Sequence, residues 1–134
     1  MNKKVLTIVA VFVLVVVGII FFVTSQGKDD AAPVAVYLEY SPGEYFVTNV
    51  NESNRLFKVS LVLMVNDETL METLETNNSL IRDKIIFILR SLTEDDLRSN
   101  DNVINLRQQI LDELNKSLGT SGIIEVRFND FVMQ

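Results

Sequence analysis

The residues that could do chemistry are acidic. Asp29-Asp30, Asp67-Glu68 and Glu94-Asp95-Asp96 are the densest groups of ionisable side chains, and each could be imagined holding a divalent cation or sharing a proton. None has the spaced oxygen ligands and central glycine of a calcium loop. Each falls instead in a polar tether or at the start of a predicted helix, where free N–H groups and the helix dipole favour a carboxylate. Arg82 and Asp83 are neighbours in sequence, do not face each other on a helix, and read as surface charges. The chain has no cysteine, histidine or tryptophan, so thiolate chemistry, disulfides, the usual general base near neutral pH and the commonest zinc and copper ligand are all missing. No GxSxG elbow, Walker loop or GxGxxG is present, and Gly27, Gly43, Gly119 and Gly122 read as tether, turn or cap. Asn51-Glu52-Ser53 and Asn77-Asn78-Ser79 match the glycosylation tripeptide, but both lie where a turn or cap is predicted. The expectation is a protein that is not an enzyme, with no catalytic residue, cofactor or metal.

What remains to be positioned is a membrane segment and one small domain. From Val5 to Val23 the chain reads VLTIVAVFVLVVVGIIFFV, with Thr7 as the only polar side chain. At helical rise that spans a hydrocarbon core about 30 Å thick. A cleaved signal peptide would have an apolar region of about 7 to 15 residues and a small-residue cleavage site. Here the run is longer, and only Thr24-Ser25-Gln26-Gly27 stands where such a site would be. Lys3 and Lys4 precede it, and Asp29 and Asp30 follow with a single Lys28, so the positive-inside rule puts residues 1–4 in the cytoplasm and the rest outside. The segment carries no charge and no paired small residues, and so reads as an anchor rather than a conductor or a dimer face.

The net charge is −6 overall. With Lys3 and Lys4 set aside, ten basic residues face eighteen acidic ones, or −8, which argues against nucleic acid or anionic lipid as a partner of the external part. Residues 24–34 form a small, polar, Pro-containing linker. About 100 residues follow, enough for one domain. Val36-Tyr37-Leu38 and Tyr45-Phe46-Val47 flank a turn at Ser41-Pro42-Gly43, and Asn51-Glu52-Ser53-Asn54 predicts a second turn. Leu56–Val65 alternates Phe57, Val59, Leu61, Leu63 and Val65 against a face that is polar only in its first half, which predicts a strand. Asp67-Glu68 opens a short helix burying Leu70, Met71 and Leu74. Ile81, Ile85, Ile88, Leu89 and Leu92 keep helical spacing from Ser79, while Ile86 and Phe87 spread the apolar surface around the cylinder. Such a helix is deeply buried or shared with a partner. Thr93–Asp96 reads as a capped turn, and Ser99 starts a helix carrying Val103, Leu106, Ile110, Leu114 and Leu118 up to a C-cap at Gly119. Ile123–Met133 alternates as a closing strand, in which Phe131 is out of phase with Val126 and Phe128 unless a bulge intervenes. Strands, then helices, then a strand predict an α+β domain with helices packed on a mostly antiparallel sheet.

Three stretches in fixed order resemble the FliL family. They are Leu56–Leu61; Ile81-Arg82-Asp83-Lys84-Ile85 running to Leu89 and Ser91, then Asp96-Leu97; and Val126–Gln134, which has the family's V-x-F-x-x-F-V-x-Q pattern. Leu106-Arg107 with Leu114-Asn115 is similar to the family's last helix. The segment Arg90-Ser91-Leu92-Thr93 departs from a more polar, lysine-bearing stretch in relatives, so contacts through that lysine have no counterpart here.

The resemblance implies a single-pass protein of the bacterial inner membrane and flagellar basal body. Its external domain, residues 35–134, would have a stomatin-like (SPFH-like) fold. It would assemble into a homo-oligomeric ring around the stator proteins MotA and MotB and support torque, swimming, swarming and chemotaxis without binding a small-molecule substrate. On that reading Ile81, Ile85, Ile86, Leu89 and Phe131 are candidate oligomer or stator contacts, and Val5 and Val23 bound the anchor. A general stomatin-like membrane scaffold is the alternative, and an anchored envelope enzyme working through carboxylates is a weaker one.

Overall fold

The computed structural model describes residues 2–3 and 37–134. The apolar segment Val5–Val23 and the linker over residues 24–34 lie outside the described residues. Among the described residues no helix is long and apolar enough to cross a membrane. Ala35–Gln134 forms a compact unit.

Strand β3 (Leu56–Val65) organises the sheet, because its strict alternation supplies one wholly apolar face. β1 (Leu38–Tyr40) pairs with the second half of β3, Leu38 opposite Val65, and β2 (Phe46–Asn49) with the first half, Phe46 opposite Val59. Strand β4 (Ile123–Met133) runs the length of β3, from Phe57 opposite Met133 to Val65 opposite Ile123. Phe57 has partners in both β2 and β4, and Leu63 in both β1 and β4, so β1 and β2 share one side of β3 and β4 takes the other. Every pairing is antiparallel, which agrees with the α+β expectation.

Four helices, α1 (Thr69–Thr76), α2 (Asn78–Leu89), α3 (Glu94–Arg98) and α4 (Asn100–Leu118), connect β3 to β4. The core lies between them and the apolar face of the sheet. Phe57, Val59, Leu61, Leu63 and Val65 from β3 meet Leu74, Ile81, Ile85, Leu89, Ile110 and Leu114, each 1 % exposed or less. That concentration of buried aliphatic area is what stabilises a domain with no disulfide, at about 25 cal/mol per Å² removed from water.

The helix ends follow from local chemistry. The Asp67 carboxylate accepts from the Thr69 N–H at 2.9 Å and from its hydroxyl at 2.7 Å, satisfying a donor at the start of α1. Thr93 and Asp96 form a reciprocal capping box at α3, and the Ser99 hydroxyl accepts from the Asn102 N–H at α4. Gly119 closes α4 with φ at 64°, the left-handed conformation in which a side chain is strained. Thr93→Ala should lower the unfolding free energy by about 1 kcal/mol and Thr93→Ser should retain most of it, as read from urea midpoints.

β4 is bulged. The register shifts between Ser60 and Leu61, so that Ser60 faces Asp130 and Leu61 faces Phe128, leaving Asn129 as the extra residue. The bulge resolves the phase of Phe131: it stands opposite Val59 on the core side, with its ring 4.7 Å from that of Phe57 and 5.2 Å from that of Phe128.

Candidate functional site

The carboxylates are structural wherever they have partners. Glu94 accepts from the Ser53 hydroxyl at 2.6 Å and from Arg98 at 3.0 Å, with Arg55 at 3.7 Å. Glu113 accepts from Lys84 at 2.9 Å, bridging α4 to α2, and Glu125 accepts from Arg127 at 2.8 Å along β4. The Ser53 hydroxyl is the main reason Glu94 is held below the usual carboxylate range, as the Thr93 N–H is for Asp96, the Thr69 hydroxyl for Asp67, Lys84 for Glu113 and Arg127 for Glu125. A general acid at neutral pH needs the opposite displacement. Among the described residues no group of acidic side chains could hold a metal ion.

These shifts predict a direction. A carboxyl whose folded pKa is depressed contributes stability above its unfolded pKa and loses it as pH falls through the folded value. The domain should therefore be evenly stable from neutrality down to the ordinary carboxylate range and lose stability below about pH 4. Urea midpoints across that range check it, and Asp96→Asn should flatten part of the slope.

The features left over are surfaces. Helix α2 is embedded on one side, with Ile81, Ile85 and Leu89 in the core, and Ile86 half-buried against it. Its outer side carries Phe87, 78 % exposed, at the rim of an open groove of about 660 Å³ between α2 and α4. Ile88 lies in the wall of that groove, and Gln108, Asp112, Lys84 and Lys116 give it a polar border. Ile81, Ile85 and Leu89 are covered by the domain itself, and the apolar side chains of this helix that keep exposed surface are Phe87, Leu80 and part of Ile86. A second surface lies on the face of the sheet away from the helices. There Lys58 has Val47 and Val132 as cross-strand neighbours and stands with its ammonium 3.7 Å from the centre of the Tyr45 ring. Tyr45, Val47, Leu56 and Val132 are all exposed there. Only the strand register reveals that patch, since its members come from three separate strands and the loop before β2.

The sequence profile described as flagellar basal body-associated protein FliL matches residues 40–134, the whole sheet and all four helices except the start of β1. The chain belongs to the FliL family. The flagellar protein FliL of Aquifex aeolicus (strain VF5) is 28 % identical over 105 residues, covering 77 % of this chain and 65 % of that protein's length. The stretches that carry the FliL likeness prove to be struts. Arg82 donates to the Pro42 carbonyl at 2.9 Å and lies over the Phe46 ring, pinning the β1–β2 loop to α2. The Asn115 side chain donates to the Ile123 carbonyl at 2.8 Å and accepts from the Ile123 N–H at 3.3 Å, fixing the start of β4 to α4. In the FliL-like tail, Val126, Phe128 and Phe131 turn inward against β3 and the helices.

Proposed function

We propose that this chain is a non-enzymatic accessory protein of the flagellar motor, anchored by Val5–Val23 with residues 1–4 in the cytoplasm. The linker over residues 24–34 would lead to a domain, residues 35–134, outside the cytoplasm. That domain would adopt the stomatin-like arrangement, assemble as a homo-oligomeric ring around MotA and MotB, and support torque in swimming and swarming. The family match over residues 40–134 carries this reading. The apolar run, broken only by Thr7, the flanking lysines and the absence of histidine and cysteine support it. Phe87, beside the adjoining groove, is the most exposed apolar side chain of the earlier candidate helix, and an exposed aromatic beside a polar-rimmed groove suits a protein contact.

The test is to delete the gene in the flagellated host, restore it with a photo-crosslinking residue at position 87, and measure swimming under viscous load. Impaired motility with unchanged growth in the deletion strain, and trapping of either a stator protein or a second copy after restoration, would support the reading. Unimpaired motility at high load would overturn it.

A further inference from the structure

Among the described residues, strand β4 is paired along one edge only. The two hydrogen bonds exchanged between Leu56 and Gln134, at 2.9 and 2.8 Å, set the phase of the β3–β4 ladder. Ser60, Val62 and Met64 then point their backbone groups at Asp130, Arg127 and Glu125, and the N–H and C=O groups of Val126, Phe128, Phe131 and Met133 point away from β3. Among the described residues no strand pairs with that edge. Eleven residues of unpaired ladder form a template for another strand, and native proteins either protect such an edge or use it.

We infer that β4 pairs antiparallel with β4 of a second copy about a two-fold axis between Phe128 and Asn129. In that register Arg127 of each copy lies opposite Asp130 of the other, Val126 opposite Phe131, Glu125 opposite Val132, and Ile124 opposite Met133. From Glu125 to Val132 the outward-pointing backbone groups of the two copies then meet and facing side chains share a face of the sheet, while Ile124 is the extra residue of a second register shift, between Met64 and Val65. The bulge at Asn129 makes the two halves of the strand match, because without it Phe131 would fall on the wrong face. Charge selects the occupant: Arg127 and Asp130 are both exposed and of opposite sign, so the strand is complementary to itself. Asp130 uses one carboxylate oxygen toward the Ser60 hydroxyl at 3.2 Å, and Arg127 has further N–H groups beyond the one on Glu125. A register that set Arg127 against its own copy would oppose like charges.

The two-fold also brings both α4 helices to one side of the seam. There Ile104, 61 % exposed, and a groove of about 350 Å³ lined by Leu111, Ile124 and Val126 supply apolar surface beside the new ladder. A two-fold contact closes on two copies. It is separate from the contact that would propagate a ring, and it rests on the strand rather than on the motor reading.

The chain has no cysteine, so engineered thiols report without background. Full-length chains carrying Arg127→Cys and Asp130→Cys on different tags, co-expressed and mildly oxidised in membranes, should form mixed disulfides, because opposite residues of a non-hydrogen-bonded pair approach closely. Glu125→Cys with Val132→Cys should do so too, whereas Glu125→Cys with Asp130→Cys is two residues out of register and should not. In detergent, Asp130→Arg should weaken the dimer by about tenfold, and the double variant Arg127→Asp/Asp130→Arg should restore it. Equal yields from all cysteine pairs, adducts to a different protein in place of a second copy, or no recovery in the charge swap would each overturn the pairing.

Discussion

Ile85→Ala is expected to lower the unfolding free energy of the domain by about 2–5 kcal/mol, while Phe87→Ala leaves it within about 0.5 kcal/mol. The two residues are neighbours on α2, yet Ile85 is fully buried between the sheet and the helices and Phe87 is mostly in water. Truncating Ile85 leaves a cavity that rigid surroundings on all sides cannot close. Truncating Phe87 removes a ring that is mostly in water and leaves no cavity behind. Chemical denaturation of the two variants separates a core role from a surface one. A loss of several kcal/mol at Phe87 would mean that its ring is part of the fold and would remove it as a docking residue.

Gly43→Ala is expected to cost about 1–3 kcal/mol from backbone strain, with a further loss from displacing a guanidinium. Gly43 has φ at 150°, and a Cβ there would overlap the Arg82 Nη1. Arg82 cannot simply move aside, because it donates to the Pro42 and Tyr45 carbonyls and covers the Phe46 ring 4.5 Å away. Combining Gly43→Ala with Arg82→Ala should therefore cost clearly less than the sum of the two single changes. Additive losses would show that backbone strain, and not the overlap, sets the penalty.

Helices and caps were legible because their causes are local. The spacing of Ile81, Ile85, Ile88 and Leu89 marks one buried stripe, and Thr93, Asp96, Ser99 and Gly119 act within four residues of themselves. The long strand β3 was legible for the same reason, since alternation needs no partner. The same apolar richness that marked α2 also made its core residues candidates for contact. Angular position alone does not say how far the sheet and α4 wrap around a helix, and they cover Ile81, Ile85 and Leu89 while leaving Phe87 out. Phe131 was ambiguous because a bulge is a property of two strands. Asn129 becomes the extra residue only when Ser60 and Leu61 are in place opposite it. The exposed patch of Tyr45, Val47, Leu56 and Val132 was hidden for a related reason, as register brings together what sequence separates.

The route of the chain through the sheet also sets an order of events during synthesis. β3 finds its long partner only after four helices have been made, so the β3–β4 ladder closes a loop spanning more than half of the domain. Helical turns form within about a microsecond, but closure over such a distance is slower, because chain entropy opposes it until the ladder contacts form. Until Ile123–Met133 is available, the apolar face of β3 has helices to cover it but one whole side of its backbone stays unpaired. A nascent chain held at that stage presents a ten-residue, mostly aliphatic strand to whatever is nearby. This intermediate is where a holding chaperone would bind and where aggregation would begin.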